Sequence, residues 1–386
     1  MGHEIDVSKG QMVGTLSRQW AMRPDDQKFL SLDALEQQTA AWRQQSYTKA
    51  VAPAEVKAVW SEDDVEGLAV RVGDSLVAPT HFGFGQIASL AGAPAGYLRA
   101  LPGALAALNL NYGLQAAKQS PRLAYLRENG ETSFRAITSP SYGRIFDTDV
   151  VRAVRGIAGN GTGDTAWKVP GRIDWQGEHG ITYNPEVDIT TETTTLYASD
   201  RDVFIFLCDD RHPIEVGKLA SGAPDLMFRG FYVWNSEVGQ RTFGVATMYI
   251  RGICQNRCLW GVEGFSEVSF KHTSGAPDKF ATEAMPLLEK FAGGGTGKLV
   301  EGVQEAKGAG VASTDDERME FLAKFGFSQK QAQAVIEQVK LEEGHEPESV
   351  WDFAMGVTAI ARSCTYQDAR LQLEAVAGKM LNAVTA

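Results

Sequence analysis

Three consecutive strand-like segments between residues 202 and 254 constrain the fold more than any other feature of the chain. Residues 202–207 form an apolar run, and residues 228–233 are rich in aromatic side chains. Residues 242–254 alternate with a period of two, which is typical of a strand. The alternating positions are Phe243, Val245, Thr247, Tyr249 and Arg251. We therefore predict a mainly antiparallel sheet, with a turn at 237–240 and a polar hairpin tip at Asn235-Ser236-Glu237.

Helical periodicity replaces this pattern from residue 276 to the end of the chain. Five amphipathic segments follow one another, at 278–291, 315–325, 328–342, 349–362 and 366–381. We predict an α+β fold with a mainly antiparallel sheet core, packed helices and a helical C-terminal region. The expected parts are an N-terminal arm with short helices (1–65), an α+β core (66–275) and the helical region (276–386).

A hairpin followed by a helix is predicted within the core. Residues 122–126 and 132–138 read as strands, and Asn129-Gly130 between them is a strong turn signal. Asp147 or Thr148 then begins an amphipathic helix that extends towards Ile157.

Composition narrows the class of protein. Four cysteines in 386 residues argue against a disulfide framework and favour a reducing compartment. No apolar run approaches the roughly 20 residues that span a bilayer. We therefore expect a cytoplasmic protein without a membrane partner.

Charge is distributed unevenly along the chain. The net charge is −11, which argues against a general polyanion binder. Residues 118–173 nevertheless carry nine basic and five acidic side chains, and residues 238–280 carry five and three. Either the excess is a local fluctuation, or the two segments meet in space and form a groove that faces phosphate.

Motifs for catalysis are incomplete. The segment 293–298 lacks both the first glycine of a P-loop, where Ala292 stands, and the hydroxyl after the lysine, where Leu299 stands. Cys254 and Cys258 have a spacing that zinc sites use, but the other metal-ligand candidates, Cys208, His212 and His272, are scattered, so the ligand set is incomplete. We predict no catalytic residue, no metal and no cofactor, and we favour a role without enzymatic activity.

Residues 135–144 are the strongest candidate for a binding segment. They combine two arginines, several hydroxyl groups and a tyrosine at the end of a strand, where Pro140 and Gly143 force a turn. Arginine forks and hydroxyls are the usual phosphate contacts, and tyrosine can stack on a base. A polar turn with a packed tyrosine explains the same pattern equally well.

Several of these segments resemble a family of phage/plasmid-like proteins of unknown function, found on prophages, phages and conjugative plasmids. The matching pieces are 135–142, 235–239 and 251–256, the last followed by Gly261. His272, Trp351 and Thr358 also fit, and the resemblance covers most of residues 65–380. Arg257 departs from the family, in which glycine usually follows Asn256. The resemblance implies a mobile-element setting and carries no established activity or catalytic residues.

Three functions from different classes follow. The first is a nucleic-acid-handling accessory that binds or anneals single-stranded DNA in recombination or replication as a homo-oligomer. The second is an inhibitor of host defence or a regulator that binds a host protein, and the third is an uncharacterised hydrolase with a metal. Under the first hypothesis, the expected contacts are Arg122, Arg127, Arg135, Ser139, Tyr142, Arg144, Arg152 and Arg155.

Overall fold

A computed structural model describes residues 11–12, 23–60, 68–170, 172–173, 186, 189–219, 222, 224–251, 257–258, 267–364 and 367–385. It confirms the predicted α+β fold, in which two main sheets are packed with helices and the C-terminal region is helical; a third sheet consists only of Gln11–Met12 paired with Arg172–Ile173. The strands are β1 (Gln11–Met12), β2 (Lys28–Phe29), β3 (Ser46–Val51), β4 (Val56–Trp60), β5 (Leu68–Val72), β6 (Ser75–Pro79), β7 (Arg122–Asn129), β8 (Glu131–Thr138), β9 (Trp167–Lys168), β10 (Arg172–Ile173), β11 (Leu196–Ala198), β12 (Val203–Lys218), β13 (Pro224–Asn235), β14 (Phe243–Arg251), β15 (Arg257–Cys258) and β16 (Glu267–Phe270).

Helices fill the N-terminal half between the strands and then make up the C-terminal region. A π turn, Phe280–Ala284, separates the sixth and seventh helices. The helices are α1 (Leu32–Gln44), α2 (His81–Leu90), α3 (Ala95–Arg99), α4 (Gly103–Ala116), α5 (Asp147–Ala158), α6 (Ala276–Lys279), α7 (Met285–Ala292), α8 (Gly297–Gly308), α9 (Asp315–Lys324), α10 (Gln329–Glu343), α11 (Val350–Arg362) and α12 (Gln367–Thr385).

The smaller of the two main sheets has the strand order β3-β7-β8-β6-β5-β4, and α4 packs against its strands β4 and β5. Its two edge strands, β3 and β4, are joined by only four residues, so the two edges converge at that end. Lys49 of β3 also donates to the carbonyl oxygen of Val72 in β5, at 3.2 Å. The core inside this sheet is formed by short aliphatic side chains of the strands and by α2 and α4.

Helix α4 protects the exposed edge of β4. The Asn111 side chain accepts from the Ala58 backbone N–H at 2.8 Å and donates to the Ala58 carbonyl oxygen at 2.9 Å. These two bonds replace those of a neighbouring strand and block pairing with another chain at this point. The opposite face of α4 leaves Leu105, Leu108 and Tyr112 exposed by 48%, 66% and 78%.

The larger sheet has the strand order β15-β14-β13-β12-β11-β2, with β16 also paired to β14 and β9 to β12. The three strands predicted from the sequence lie in β12, β13 and β14. One face packs against α1, α5 and the C-terminal helices. The other face is aromatic, and α12 packs there, where the Tyr232 hydroxyl lies 2.9 Å from Glu374 Oε2.

The hairpin predicted before residue 140 is formed by β7 and β8, with Gly130 at φ +73° between them. The predicted boundary at residue 65 falls between β4 and β5, which are neighbours in one sheet. The predicted start of the helical region at residue 276 coincides with the first residue of α6. No helix in the described part of the chain is long and apolar enough to cross a membrane.

Candidate functional site

A β-bulge places Arg135 between the two sheets. Tyr125 of β7 pairs with Ala136 and Leu126 pairs with Phe134, so Arg135 is the extra residue of β8. A bulge of this kind redirects a side chain, and it turns Arg135 to the side of the hairpin that carries Tyr125. The guanidinium carbon lies 5.2 Å from the Tyr125 ring centre, and Arg135 is only 1% exposed.

Glu237 is the acidic partner of Arg135 and lies in the turn after β13. Its Oε1 accepts from Arg135 Nη1 and lies 3.4 Å from the Tyr125 hydroxyl. Its Oε2 accepts from the backbone N–H of Asp147 at 3.3 Å, at the beginning of α5. Burial opposes the ionisation of Glu237, but Arg135, the backbone N–H of Asp147 and Arg127 together outweigh burial and lower the pKa of Glu237. One carboxylate therefore joins the hairpin, the turn after β13 and the N-terminus of α5.

Asp147 forms a second buried carboxyl group beside Glu237. Its Oδ1 accepts from Asn235 Nδ2 at 2.7 Å, and the same amide group donates to the Ile145 carbonyl oxygen at 2.9 Å. Burial, and next the negative charge of Glu237, raise the pKa of Asp147 well above its usual range. The two carboxyl groups are therefore driven in opposite directions, because Arg135 favours the ionised form of Glu237 and burial favours the protonated form of Asp147. Both are almost fully enclosed, at 4% and 3% exposure for Glu237 and Asp147.

The segment after β8 continues the same network. Arg144 Nη1 donates to the Glu237 carbonyl oxygen, and its guanidinium carbon lies 4.0 Å from the Tyr125 ring centre. The Tyr142 hydroxyl donates to the Ser236 carbonyl oxygen at 3.1 Å, and its ring stacks on His272 at 5.1 Å. Burial raises the pKa of Tyr142 and lowers that of His272.

Three of the motifs quoted for the family resemblance thus meet at one place. They are the segment from Arg135 to Arg144, the turn 235–239 and His272, which is bonded to the backbone of Gly143. Asn235-Ser236-Glu237 lies where the hairpin tip was predicted, at the turn between β13 and β14, but its burial was not predicted. Asn235 and Ser236 are fully buried, because the tip is inserted against the β7–β8 hairpin.

Arg152 and Arg155 lie on the exposed side of α5 and face the acidic residues of α1. Arg152 Nε lies 3.0 Å from Glu36 Oε1, and Arg155 Nη1 lies 2.9 Å from Glu36 Oε2. Arg155 also pairs with Asp33 at 2.9 Å. Burial opposes ionisation of Glu36, but these arginines outweigh it and lower the pKa of Glu36. Ser139 is half-buried, with its hydroxyl oxygen 3.0 Å from that of Ser141.

Arg127 differs from the other predicted arginines because two of its buried nitrogens, Nε and Nη2, have no acceptor within the described residues, whereas Arg135 has one such nitrogen, Nε. The side chain is 9% exposed, and its guanidinium carbon lies 4.6 Å from the centre of a Trp42 ring. Burial, and next the positive charge of Arg135, lower the pKa of Arg127 to about 10. Arg122, at the other end of β7, also has a buried Nε atom without an acceptor in the described chain.

The metal-ligand candidates are scattered in the described structure. Cys208 is fully buried within β12, whereas the imidazole of His212 is exposed and lies 3.1 Å from Asp209. Cys254 lies outside the described residues, and Cys258 is described only as part of β15. Among the described residues, no group of three or more His, Cys, Asp or Glu side chains is placed to hold a metal ion.

We call the place where the β7–β8 hairpin, the turn after β13 and the N-terminus of α5 meet the junction. Sequence reasoning identified the arginines of the junction but missed Glu237, Asp147, Tyr125 and Trp42. These residues are distant in the chain and share no spacing that links them. The one usable signal was the cluster of motifs that carried the family resemblance, since three of those motifs supply side chains or backbone to the junction.

Comparison with known proteins adds no relative. No protein-family model, no curated protein and no solved structure matches this chain. The resemblance to phage/plasmid-like proteins therefore remains a prediction from the motifs.

Proposed function

We propose that this protein binds single-stranded nucleic acid, with the Arg127 guanidinium as a phosphate contact. The observation that carries the proposal is the lack of a hydrogen-bond acceptor, among the described residues, at two buried nitrogens of Arg127. A buried guanidinium whose Nε and Nη2 atoms lack acceptors is costly, and a phosphate at the 9% of the side chain that is exposed would stabilise its charge beyond what Glu237 provides. In this view the protein is a nucleic-acid-handling accessory of a mobile genetic element.

The surroundings of Arg127 suit a flexible strand better than a rigid duplex. Ser46 of β3 is paired with Arg127, and the next residue of this edge strand, Tyr47, is 40% exposed. The half-buried Trp42 lies under the guanidinium, and Gln45 has a buried side-chain oxygen without a donor in the described chain. Aromatic rings beside a cationic contact are the usual platform for unstacked bases.

The other arginines of the segment divide into two groups. Arg135 and Arg144 are bonded to Glu237, so in this arrangement they support the junction; Arg135 is buried and Arg144 is half-buried. Arg152 and Arg155 are 61% and 40% exposed and could exchange Glu36 for a phosphate, because exposed ion pairs are weak. Arg122 adds one further nitrogen without an acceptor among the described residues.

Replacing Arg127 with Gln is expected to weaken binding of a labelled oligo-dT strand by about 10- to 100-fold, the value of one charge-assisted hydrogen bond. The slope of log K against log salt should become shallower by about 0.7 for each phosphate contact that is lost. Fluorescence anisotropy over a salt series measures both quantities, and a duplex of the same length tests the preference for single strands.

The matched control is Lys330→Gln, which removes one positive charge at an exposed position of α10. It should leave the affinity unchanged. Equal affinity and equal salt slope for Arg127→Gln and the native protein would contradict the proposed contact. Absence of binding by the native protein at low salt would contradict the proposed function itself.

Self-association is the second part of the proposal, and the exposed face of α4 supports it. The helix has no charged residue, although the chain carries a net charge of −11. Tyr97 of α3, at 59% exposure, lies close to Leu105, Leu108 and Tyr112 in sequence and extends the apolar surface. A second copy always presents the same neutral surface, which makes a two-fold symmetric contact self-complementary.

Replacing Leu108 with Gln is expected to shift the protein towards the monomer, because it places an amide at the centre of this apolar contact. Mass photometry over a dilution series measures the shift. Leu341→Gln is the matched control, since Leu341 has the same 66% exposure on α10. An identical mass distribution for the native protein and Leu108→Gln would contradict self-association through α4. A host-protein partner would then be the remaining use of this surface.

A further inference from the structure

Strand β3 is an open edge of the smaller sheet, whereas the opposite edge strand, β4, is covered by α4. Gln45, just before β3, accepts from the Glu128 N–H at 2.9 Å, so the bonds from β3 to β7 recur at every second residue from there. The N–H and C=O groups of Ser46, Thr48 and Ala50 therefore point away from β7. Within the described chain, no other strand pairs with them on that side.

The usual protections of an edge strand are missing from β3 in the described structure. Tyr47, Thr48 and Ala50 are exposed, and the strand contains no proline and no bulge. Lys49 is the one charged residue of β3, but its ammonium group donates to the Val72 carbonyl oxygen at 3.2 Å and so does not guard the edge. An open edge of this kind can accept a further strand, with bonds between the two backbones.

The sequence of β3 favours one register for the pairing of two copies. With a two-fold axis at Thr48, Ser46 of each copy faces Ala50 of the other, and Thr48 faces its own equivalent. All the outward N–H and C=O groups are then bonded, in about six hydrogen bonds between the two backbones. An axis at Lys49 would place two ammonium-bearing side chains opposite each other, which is destabilising. An axis at Tyr47 would leave Ala50 without a partner.

We infer that β3 is a homodimer interface, through which the smaller sheets of two copies of this chain join into one continuous sheet. Thr48 lies on the two-fold axis, where a pair of threonines is favourable. Ser46, Thr48 and Ala50 carry no charge, so the edge suits a second copy of itself better than a strongly acidic or basic peptide. This contact uses a different surface from the exposed face of α4, and it does not depend on the contact proposed there.

Cysteine cross-linking tests this inference on the full-length protein carrying Leu108→Gln, which weakens the proposed α4 contact and leaves β3 unchanged. Residues that face each other in a bonded antiparallel pair have Cα atoms about 5.5 Å apart, within the range of a disulfide. Thr48→Cys should therefore form a disulfide-linked dimer under mild oxidation. Non-reducing gel electrophoresis measures the yield, and the same protein without Thr48→Cys gives the background from the native cysteines.

Ala50→Cys is the matched control, because it places a cysteine at an exposed position on the same face of the same strand. The two copies of residue 50 would lie about 14 Å apart in this register, too far for a disulfide. Thr48→Cys should therefore give about tenfold more cross-linked dimer than Ala50→Cys, since a disulfide needs Cα atoms within about 7 Å. No cross-linked dimer above background with Thr48→Cys would overturn the inference, as would equal yields from the two variants.

Thr48→Pro tests the same interface without a cysteine. Proline removes the N–H of residue 48, which points away from β7, so the strand can keep its bonds to β7 but loses those on the two-fold axis. Added to Leu108→Gln, it should weaken the dimer Kd by about tenfold or more in sedimentation velocity over a dilution series. Circular dichroism verifies the fold, and the cysteine pair decides the question if Thr48→Pro does not fold. An unchanged Kd in a folded Thr48→Pro protein would overturn the inference.

Discussion

Replacing Glu237 with Gln is expected to lower the free energy of unfolding by about 3–5 kcal/mol, because it leaves the Arg135 guanidinium buried without its counter-charge. The side chains of Arg135 and Glu237 are 1% and 5% exposed, so water cannot compensate for the lost charge. The same change weakens the acceptor that holds the N-terminus of α5. Urea denaturation followed by circular dichroism measures the effect.

A double-mutant cycle separates the ion pair from the rest of the junction. Arg135→Met alone should also destabilise strongly, whereas adding it to Glu237→Gln should cost much less than it does alone. Glu36→Gln is the control, because it removes a carboxylate with two arginine partners on the surface of α1 and α5. If the two single changes at the junction were additive, Arg135 and Glu237 would not stabilise the fold as a pair.

The fold could be predicted from the sequence where periodicity is local and continuous. The alternation that predicted β14 is visible in the sequence because β14 pairs with β13 in a continuous register, and its nine residues contain no bulge. The second half of β12 was missed, since its register shifts after Asp209 and polar residues follow. Helix α8 was missed as well, because it begins in a glycine-rich segment and has glycine at 297, 302 and 308.

The site could be predicted only in part, for a reason that lies in tertiary structure. The sequence identifies Arg127, Arg135 and Arg152 as equivalent basic residues of one segment. The bulge buries Arg135 against Glu237, and Glu36 of α1 forms an ion pair with Arg152. Arg127 forms no ion pair with a residue that the structure describes. These different outcomes depend on residues about 100 positions away. Composition and spacing within the segment carry no information about them.

Replacing Asp147 with Asn is expected to make the protein progressively more stable than the native form as pH rises. Burial and Glu237 raise the pKa of Asp147 in the folded state, so folding holds a proton that the unfolded chain releases. The native protein therefore loses stability as pH increases from the ordinary aspartate range through this raised pKa. The amide that replaces the carboxyl group has no proton to lose, and its oxygen can still accept from Asn235.

The difference in unfolding free energy between Asp147→Asn and the native protein should be small near pH 4 and should rise by at most about 1.4 kcal/mol per pH unit above it. Taking the difference cancels the opposite contribution of Glu237, whose lowered pKa makes the native fold lose stability at acid pH. Urea denaturation from pH 4 to pH 8 provides both curves. Asp149→Asn changes an exposed carboxyl group on the same helix and should show no such rise. Parallel curves for Asp147→Asn and the native protein would mean that Asp147 is ionised inside the junction, and Arg135 would then have to balance two carboxylates.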